Sequence, residues 1–344
     1  MIDAICKEIQ QRDISNYNNT LGSIYFGGGT PSLLSKSELG NIFETLAKKF
    51  TWSESIEITL EANPEDISAA YLANLKSIGV NRLSVGIQSF DAEDLSYMNR
   101  AHSVAQSHSA LNLINEEGFK SYTLDLMFGL INRTTQDWED NLATALKYSA
   151  PHISCYNLTI EEQTAFAKWK SNGSLLESKD SIQKEQYDLA ESILTSNGYA
   201  HYEISNYAIE GHNAVHNSNY WNKISYIGYG PGAHSYSNGA RSWNVANNSK
   251  YIRAIDKNIS CQESEELSQA DQFNELIMLG LRTKKGIAKK DIEKQQPPIQ
   301  KHWNALSADL LKEGILIEEN EAFSLDHSWW YLSDDIASRL FLEN

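Results

Sequence analysis

Apolar and polar residues follow one another along this chain with two periods, one typical of strands and the other of helices. Alternation over short β-branched or aromatic runs predicts strands at 23–26, 56–63, 82–90, 122–130, 152–159 and 203–207. Amphipathic stretches predict helices at 2–12, 35–49 and 179–196, with others between the remaining strands. Because strands and helices alternate at this spacing, we expect a parallel sheet covered by helices, either open and doubly wound or curled into a partial barrel.

Helix ends carry local signals as well. Ser35 and Glu38 have the spacing of a capping box, which predicts a helix from there to about Lys49. Asn63 precedes a proline and two acids, a pattern that predicts Asn63 as the cap of the next helix. These signals divide the first part of the chain into repeated strand–helix units.

The pattern changes twice after this repeating part, which predicts three regions. Residues 1–210 form the strand–helix region, and residues 211–262 are rich in His, Asn, Tyr, Trp and Gly with little helical period. Residues 263–344 are again helical and contain two short apolar runs, at 315–317 and 322–325, that suggest a hairpin. Helices followed by a hairpin predict a small C-terminal accessory domain of the α+β type, similar to a winged helix.

Composition and charge narrow the class of protein. The chain has 344 residues and a formal net charge of −16 without a visible basic patch, which argues against a nucleic-acid partner. No apolar run approaches the ~18 residues that span a bilayer, and the first residues form a charged amphipathic pattern unlike a signal peptide. We therefore expect a cytoplasmic protein without a transmembrane segment, and transient membrane association stays open.

Polar residues and glycines stand where the predicted strands end. Gly28 and Gly29 follow the first strand in a Gly-Gly-Gly-Thr-Pro loop, whose bare backbone lets a ligand lie against its N–H groups. The other positions of this kind are Glu61, Gln88, Asp125 and, in the loop after the third strand, Arg100. Carboxylates, an amide, a guanidinium and free N–H groups suit a zwitterionic ligand that carries hydroxyls. We expect one shared site; the alternative is that Glu61 and Asp125 only cap the following helices.

A second group of chemically active residues lies in the segment 211–235. It contains His212 and His216 together with tyrosines, a tryptophan and glycines. Such a segment suits a flat aromatic ligand or a metal, and equally an aromatic packing loop with hydrogen-bonded histidines. The residues alone leave these alternatives open, and no HExxH pattern accompanies the histidines.

Five stretches, taken in order, resemble the motif series of radical S-adenosylmethionine enzymes. They are 25–32 (YFGGGTPS), 61–65 (EANPE), 86–90 (GIQSF), 125–130 (DLMFGL) and 228–235 (GYGPGAHS). The series is similar to that of oxygen-independent coproporphyrinogen III oxidase and its HemW-type haem-chaperone relatives, and the likeness covers essentially the whole chain. It implies a partial (β/α)6 barrel that binds S-adenosylmethionine.

The resemblance also implies roles for the residues at the strand ends. Gly28, Gly29 and Thr30 would hold the amino end of S-adenosylmethionine. The rest of its pocket would be lined by Glu61, Gln88, Arg100 and Asp125, with Asp125 nearest the ribose.

A further motif resembles the haem-chaperone branch rather than the oxidase. It is an HNxxYW pattern made of His216, Asn217, Tyr220 and Trp221. By that resemblance His216 would contact haem, since imidazole is a common axial ligand of haem iron. The candidate basic positions for the propionates of a tetrapyrrole are Arg82, Arg100 and Arg241.

Three interpretations follow from the resemblance. The first is a chaperone that binds S-adenosylmethionine and carries haem, or another tetrapyrrole, to an acceptor that the sequence does not specify. The second is the oxidase, which decarboxylates two propionates to vinyl groups. The third, from a different class, is a cluster-free tetrapyrrole-binding protein without redox chemistry.

One motif of the family is missing from this sequence. The family binds a [4Fe–4S] cluster through CxxxCxxC after its first strand, whereas this chain has Cys6, Cys155 and Cys261, far apart in sequence. Met1 falls where the first barrel helix would run, so the first barrel strand is missing too. We expect a truncated or mis-assigned start with the cluster cysteines upstream of Met1; the alternative is a true loss. The chain as written is expected to be catalytically inactive.

Overall fold

The computed structural model describes residues 1–159 and 179–343. In the first range the elements are α1 (Ile2–Gln11), β1 (Thr20–Phe26), α2 (Lys36–Ala47), β2 (Thr51–Ala62), α3 (Ala69–Ser77), β3 (Arg82–Gln88), α4 (Ala92–Tyr97), α5 (Val104–Glu116), β4 (Tyr122–Phe128), α6 (Thr135–Leu146) and β5 (His152–Asn157). In the second range they are α7 (Asp180–Ser196), β6 (Ala200–Glu203), β7 (Asn206–Ala208), α8 (Val215–Trp221), β8 (His234–Ser237), β9 (Ala240–Asn244), α9 (Asn248–Asp256), β10 (Gln262–Glu266), α10 (Gln269–Leu281), β11 (Ile287–Ala288), α11 (Lys289–Glu293), α12 (Pro297–Lys312), β12 (Leu316–Glu319), β13 (Ala322–Leu325) and α13 (Ser333–Arg339).

The largest sheet has seven strands in the order β1-β2-β3-β4-β5-β7-β6. The pairs β2–β3, β3–β4 and β4–β5 are parallel, and helices connect these strands along the chain. The sheet curls into a half-barrel. The predicted α/β fold with a partial barrel is therefore confirmed.

Alternate residues of the central strands divide the sheet into two faces. On β3, Leu83, Val85 and Ile87 are fully buried, whereas Ser84 and Gln88 point to the other face and are partly exposed. The same alternation continues on β4. The partly exposed face carries the polar residues that the sequence placed at the strand ends.

The strand predicted at 203–207 is wrong in its bounds and in its direction. β6 and β7 form an antiparallel hairpin, and β7 runs antiparallel to β5. The buried Asn206 side chain donates to Glu203 across this hairpin and accepts a 2.5 Å hydrogen bond from Ser154 Oγ on β5. A tight hairpin needs no crossover helix, so β7 follows β6 directly and the strand–helix repeat does not extend to this end of the sheet.

The chain divides into two compact units. One comprises Met1–Ile24, Leu34–Glu57 and Val215–Asn344, and the other comprises Tyr25–Leu33 and Ile58–Ala214. The second unit contains the glycine loop and the central strands of the sheet. The three regions expected from the sequence stay a prediction.

Helix capping follows the local prediction at α2 but not at α3. Ser35 caps α2 with a complete capping box. Asn63, in contrast, is followed by only a short 3-10 turn, and Ser68 caps α3 instead. The Asn63 side chain accepts a hydrogen bond from Arg100, so a tertiary partner replaces the predicted capping role.

The region 211–262 is more regular than its composition predicts. It contains the helices α8 and α9, and its strands β8, β9 and β10 form an antiparallel three-stranded sheet. Glu57 accepts hydrogen bonds from the backbone N–H groups of Val215 (2.9 Å) and His216 (2.8 Å) at the start of α8. A short helix capped by a residue so distant in sequence gives little local signal, which is why the non-helical prediction is wrong here.

The C-terminal region agrees with the predicted accessory domain. Helices α10 to α13 accompany a three-stranded antiparallel sheet in the order β11-β13-β12, which includes the predicted hairpin. None of the described helices is long and apolar enough to cross a membrane.

Candidate functional site

The glycine loop after β1 forms an open cradle of backbone. Gly28 and Gly29 have φ angles of +75° and +59°, and a Cβ added to either would meet no atom within 4 Å. At Gly27 the reason for glycine is different, because an added Cβ would lie 2.5 Å from Tyr25 Cε1 and 2.8 Å from Glu61 Oε1. Thus Gly27 permits close packing, while the next two glycines leave space in which a ligand can approach the backbone.

Glu61 connects this loop to the sheet. Its Oε1 accepts a 2.8 Å hydrogen bond from the Tyr25 hydroxyl, and its Oε2 accepts a 3.1 Å hydrogen bond from the N–H of Gly28. Burial and the neighbouring Glu61 carboxylate raise the pKa of Tyr25, so the phenol remains a donor at neutral pH. Thr30 is exposed, at the start of the 3-10 turn Pro31–Leu33 that follows.

Asp125 lies within β4 rather than beyond its end. Ser84 Oγ on β3 donates a 2.9 Å hydrogen bond to Asp125 Oδ2. Asp125 Oδ1 is shielded from solvent and accepts no hydrogen bond from the described residues. Burial raises the pKa of Asp125 to about 7, and the Ser84 hydroxyl opposes that rise. The carboxyl therefore offers an oxygen to a donor that residues 1–159 and 179–343 do not supply; the neighbouring Ser154 hydroxyl donates to Asn206 instead.

Strand register forms two polar pairs across β2 to β5, and the hydrogen bond from Ser84 to Asp125 joins them. Glu61 is opposite Ser84, and Asp125 is opposite Ser154. We call Glu61, Ser84, Asp125 and Ser154 the polar row. Ser84 and Ser154 are absent from the sequence-based set, because their roles depend on the partners that the folded sheet brings opposite them.

Neither acid of the polar row caps the helix that follows it. Ser68 caps α3, and Thr134 caps α6 in a capping box with Asp137. Glu61 and Asp125 instead contact the glycine loop and the neighbouring strand. The capping alternative is wrong for both.

Gln88 and Arg100 lie around Gly86 at the end of β3. Gln88 has a φ of +65°, which is rare for a residue with a side chain, and the strand register is irregular between Val85 and Gln88. Arg100 Nη2 donates to Asn63 Oδ1 (2.9 Å) and to the Gly86 carbonyl (3.2 Å). The strained backbone at Gln88 is typical of a functional site, where such conformations cost on the order of 1–3 kcal/mol.

The HNxxYW residues lie on α8, whose first turn Glu57 caps. His216 Nδ1 lies 3.0 Å from Ser23 Oγ, and His216 Nε2 lies 3.1 Å from the Tyr220 hydroxyl. Both ring nitrogens therefore have protein partners. Burial lowers the pKa of His216 to about 4, so the ring is neutral at physiological pH. Asn217 is half-buried on the same helix.

Trp221, the last residue of this helix, forms a cation–π contact with Arg282. The Arg282 guanidinium carbon lies 5.4 Å from the Trp221 ring centroid. The tryptophan thus helps to hold α8 rather than presenting a free aromatic face.

Tyr220, in contrast, faces a cavity of about 340 Å³. We call it the aromatic cavity; its lining includes Tyr220, Tyr226, His234, Tyr236, Arg241 and Trp243, together with the charged residues Lys223, Glu265 and Glu275. Its size lies within the usual range of small-molecule sites.

The three predicted basic positions differ in their surroundings. Arg82 is buried and donates to Ser121 Oγ and Thr123 Oγ1, each at 2.7 Å, so it is unsuited to dock a ligand and that prediction is wrong. Arg100 belongs to the Gly86 site described above. Arg241 lines the aromatic cavity.

The cysteines do not fit an iron–sulfur cluster. Cys155 is buried within β5, and burial raises the pKa of its thiol. Cys6 and Cys261 are half-buried, and no cysteine belongs to a metal-binding group among residues 1–159 and 179–343. The described residues therefore provide no thiolate set for such a cluster.

Comparison with known families agrees with this geometry. The model of the radical SAM superfamily matches residues 9–145, and that of the HemN C-terminal domain matches residues 267–328. The solved structure of coproporphyrinogen III oxidase (HemN) from Escherichia coli, a radical SAM enzyme, has a TM-score of 0.84 over 99% of this chain and 82% of that one. Its sequence identity is 20%, so this likeness defines the fold. The class is thus a radical SAM half-barrel with a HemN-type C-terminal domain.

Curated relatives make the family more specific. The heme chaperone HemW of Bacillus subtilis is 33% identical over 97% of this chain and 90% of its own length. HemW of Lactococcus lactis is 29% identical over 100% and 89%, and HemW of Haemophilus influenzae is 40% identical over 66% and 58%. This chain belongs to the HemW family of the radical SAM superfamily.

Proposed function

We propose that this chain is a haem chaperone that binds S-adenosylmethionine and haem and delivers haem to an acceptor protein. The observation that carries the proposal is its similarity to heme chaperone HemW of B. subtilis along nearly the whole of both chains. The complete HNxxYW motif on a capped helix supports it.

The glycine loop and the polar row fit S-adenosylmethionine. Gly28, Gly29 and Thr30 would receive its amino acid end, because the loop is open to an approaching ligand. Asp125 Oδ1 would accept a hydrogen bond from a ribose hydroxyl, since no described residue donates to it. Glu61 would act indirectly by fixing the loop through the N–H of Gly28.

Gln88 and Arg100 would complete this pocket from the end of β3. Arg100 is held by Asn63 and by the Gly86 carbonyl through one of its terminal nitrogens. A guanidinium fixed in this way suits the carboxylate of a zwitterionic ligand. In the radical SAM class, bound S-adenosylmethionine supplies the adenosyl group for radical chemistry.

Equilibrium dialysis with S-adenosylmethionine tests the first half of the proposal. We expect one equivalent to bind to the wild-type chain and Glu61→Gln to weaken binding by about tenfold, since the amide cannot accept at both positions. Glu185→Gln, an exposed change on α7, is the control and should leave the affinity unchanged. Equal affinities for the wild-type and Glu61→Gln proteins would refute the assigned pocket.

A hemin titration tests the second half. We expect saturation at one equivalent with a distinct Soret band that survives gel filtration. The rival oxidase function is tested separately by incubating coproporphyrinogen III with the protein, S-adenosylmethionine and a reductant, and analysing the products for vinyl groups. Haem retention without vinyl formation agrees with the chaperone; vinyl formation without haem retention would overturn it.

A further inference from the structure

The aromatic cavity is built on one face of the sheet β8-β9-β10. His234 is paired with Trp243, and Tyr236 with Arg241, so the antiparallel register places these four side chains on the same face. The rings of His234 and Trp243 are stacked, with centroids 6.0 Å apart and planes inclined by 29°. A sheet face that bears aromatic rings suits a planar ligand.

Helix α8 supplies the next part of the wall. Tyr220 meets Tyr226 edge to face with ring centroids 4.7 Å apart, and Tyr226 in turn stacks with Tyr236 at 6.3 Å. The hydroxyl of Tyr220 lies 3.1 Å from His216 Nε2. His216 is therefore connected to the wall of the aromatic cavity by its contact with the Tyr220 hydroxyl.

The two histidines differ in their availability to a metal. Both ring nitrogens of His216 lie within hydrogen-bond distance of protein hydroxyls. His234 is exposed. Among the described residues, its ring stacks with Trp243 and forms no hydrogen bond. The ring of His234 can thus offer a nitrogen to an incoming ion without breaking a hydrogen bond within the described chain.

The backbone that carries His234 is rigidly placed. A Cβ added at Gly228 would lie 2.3 Å from the His234 carbonyl oxygen, so the two segments are in direct backbone contact. Arg12, directly after α1, donates to the Gly228 carbonyl (2.7 Å) and to Ser235 Oγ (2.8 Å). Tyr226 and Tyr236 exchange two backbone hydrogen bonds, at 3.0 and 2.9 Å. The GYGPGAHS motif therefore serves to fix the position of this histidine.

Cations lie at the same cavity. Lys223 and Arg241 both pair with Glu275, and Arg241 also lies 3.8 Å from the exposed Glu265. Both basic side chains retain partial exposure. Their exposed edges can receive the carboxylates of a ligand while both stay paired with the buried Glu275.

We propose that the aromatic cavity is the seat of an iron tetrapyrrole, with a ring nitrogen of His234 as the axial ligand to iron. In this arrangement His216 is a positioning residue that orients Tyr220 in the cavity wall, and Lys223 and Arg241 receive the ligand's carboxylates. This assignment rests on the proposed haem-binding function and names its site.

Hemin titrations of four proteins test the assignment: the wild-type chain, His234→Ala, His216→Ala and, as a histidine control outside the cavity, His212→Ala. We expect His234→Ala to lose the spectrum of histidine-ligated haem and at least about tenfold in affinity. His216→Ala should weaken binding yet keep the ligation signature in the Soret and iron–histidine Raman bands. His212→Ala should behave as the wild-type protein. Circular dichroism checks that each variant is folded.

Rescue by free imidazole separates ligation from damage to the fold. In His234→Gly, added imidazole should restore the spectrum of histidine-ligated haem, because it can enter the space left by the side chain. A wild-type spectrum in His234→Ala together with loss of ligation in His216→Ala would overturn the assignment while leaving haem binding intact. Absence of hemin binding by the wild-type protein would instead refute the proposed function and, with it, the proposed binding site in the aromatic cavity.

Discussion

Replacing Asp125 by asparagine removes a buried carboxyl while keeping the shape of the side chain. Burial raises the pKa of Asp125 from 3.8 to about 7, and the nearby Glu61 carboxylate acts in the same direction. An asparagine oxygen can still accept the hydrogen bond that Ser84 donates. The substitution therefore isolates the cost of ionising this carboxyl in the folded protein.

The sign of the effect follows from which state loses its proton first. Between pH 3.8 and about 7 the unfolded carboxyl has ionised while the folded one has not. Stability of the wild-type protein therefore falls as pH rises through this window, by about 1.4 kcal/mol per pH unit. The whole difference, from 3.8 to about 7, corresponds to roughly 4 kcal/mol and is complete above that pH.

Asparagine has no proton to lose, so Asp125→Asn should be the more stable protein at high pH. We expect its free energy of unfolding to exceed that of the wild-type protein by up to roughly 4 kcal/mol at pH 8, and the difference to vanish near pH 4. Urea unfolding followed by tryptophan fluorescence at several pH values measures this difference.

Asp137→Asn provides a control of opposite sign. Hydrogen bonds from the Thr134 backbone N–H and hydroxyl lower the pKa of Asp137. Its carboxylate therefore stabilises the wild-type protein at neutral pH, and that contribution is lost as pH falls. A stability difference between Asp125→Asn and wild type that stays constant from pH 5 to pH 8 would refute the reasoning.

Three further changes probe the packing around both sites. Gly27→Ala should lower S-adenosylmethionine affinity at least about tenfold in equilibrium dialysis, because its Cβ would lie 2.5 Å from Tyr25 Cε1; unchanged affinity would contradict the role of the loop. Glu8→Gln should cost roughly 3 kcal/mol in urea unfolding, since this buried carboxylate accepts a 2.6 Å hydrogen bond from the Tyr251 hydroxyl among several donors. Glu57→Ala should destabilise α8 by about 1–2 kcal/mol, seen as faster hydrogen exchange of its first amides, and unaltered exchange would exclude the capping role.

Local sequence signals predict the elements that are held by local contacts. The capping box at Ser35 and the hairpin of β12 and β13 depend on residues a few positions apart, and both are confirmed. The alternation that defines β3 and β4 also predicts which residues are buried. The half-barrel follows from these elements because short crossovers leave few alternatives.

Features that depend on distant partners could not be predicted in this way. Helix α8 is capped by Glu57, which lies far away in sequence. Arg82 resembles a surface cation in the sequence, yet it is buried and donates to the hydroxyls of Ser121, just before β4, and of Thr123 within β4. Asn63 stands in a sequence pattern typical of a helix cap, but its side chain accepts a hydrogen bond from Arg100 instead.

The candidate S-adenosylmethionine site was predicted in part. Polar residues at strand ends indicated Glu61, Gln88 and Asp125, because apolar residues would pack more easily there. The partners Tyr25 and Ser84 were missed, since an aromatic residue or a serine within a strand carries no signal of its own. Their roles depend on register, which only the folded sheet defines.

Haem content of the purified protein is the most direct test of the central claim. The chain would be isolated from cells supplied with a haem precursor, passed through gel filtration and assayed as the pyridine haemochrome. Our account predicts about one haem per chain, with a clear reduction in His234→Ala. A wild-type protein that emerges without haem under these conditions would contradict the assignment of this chain as a haem chaperone.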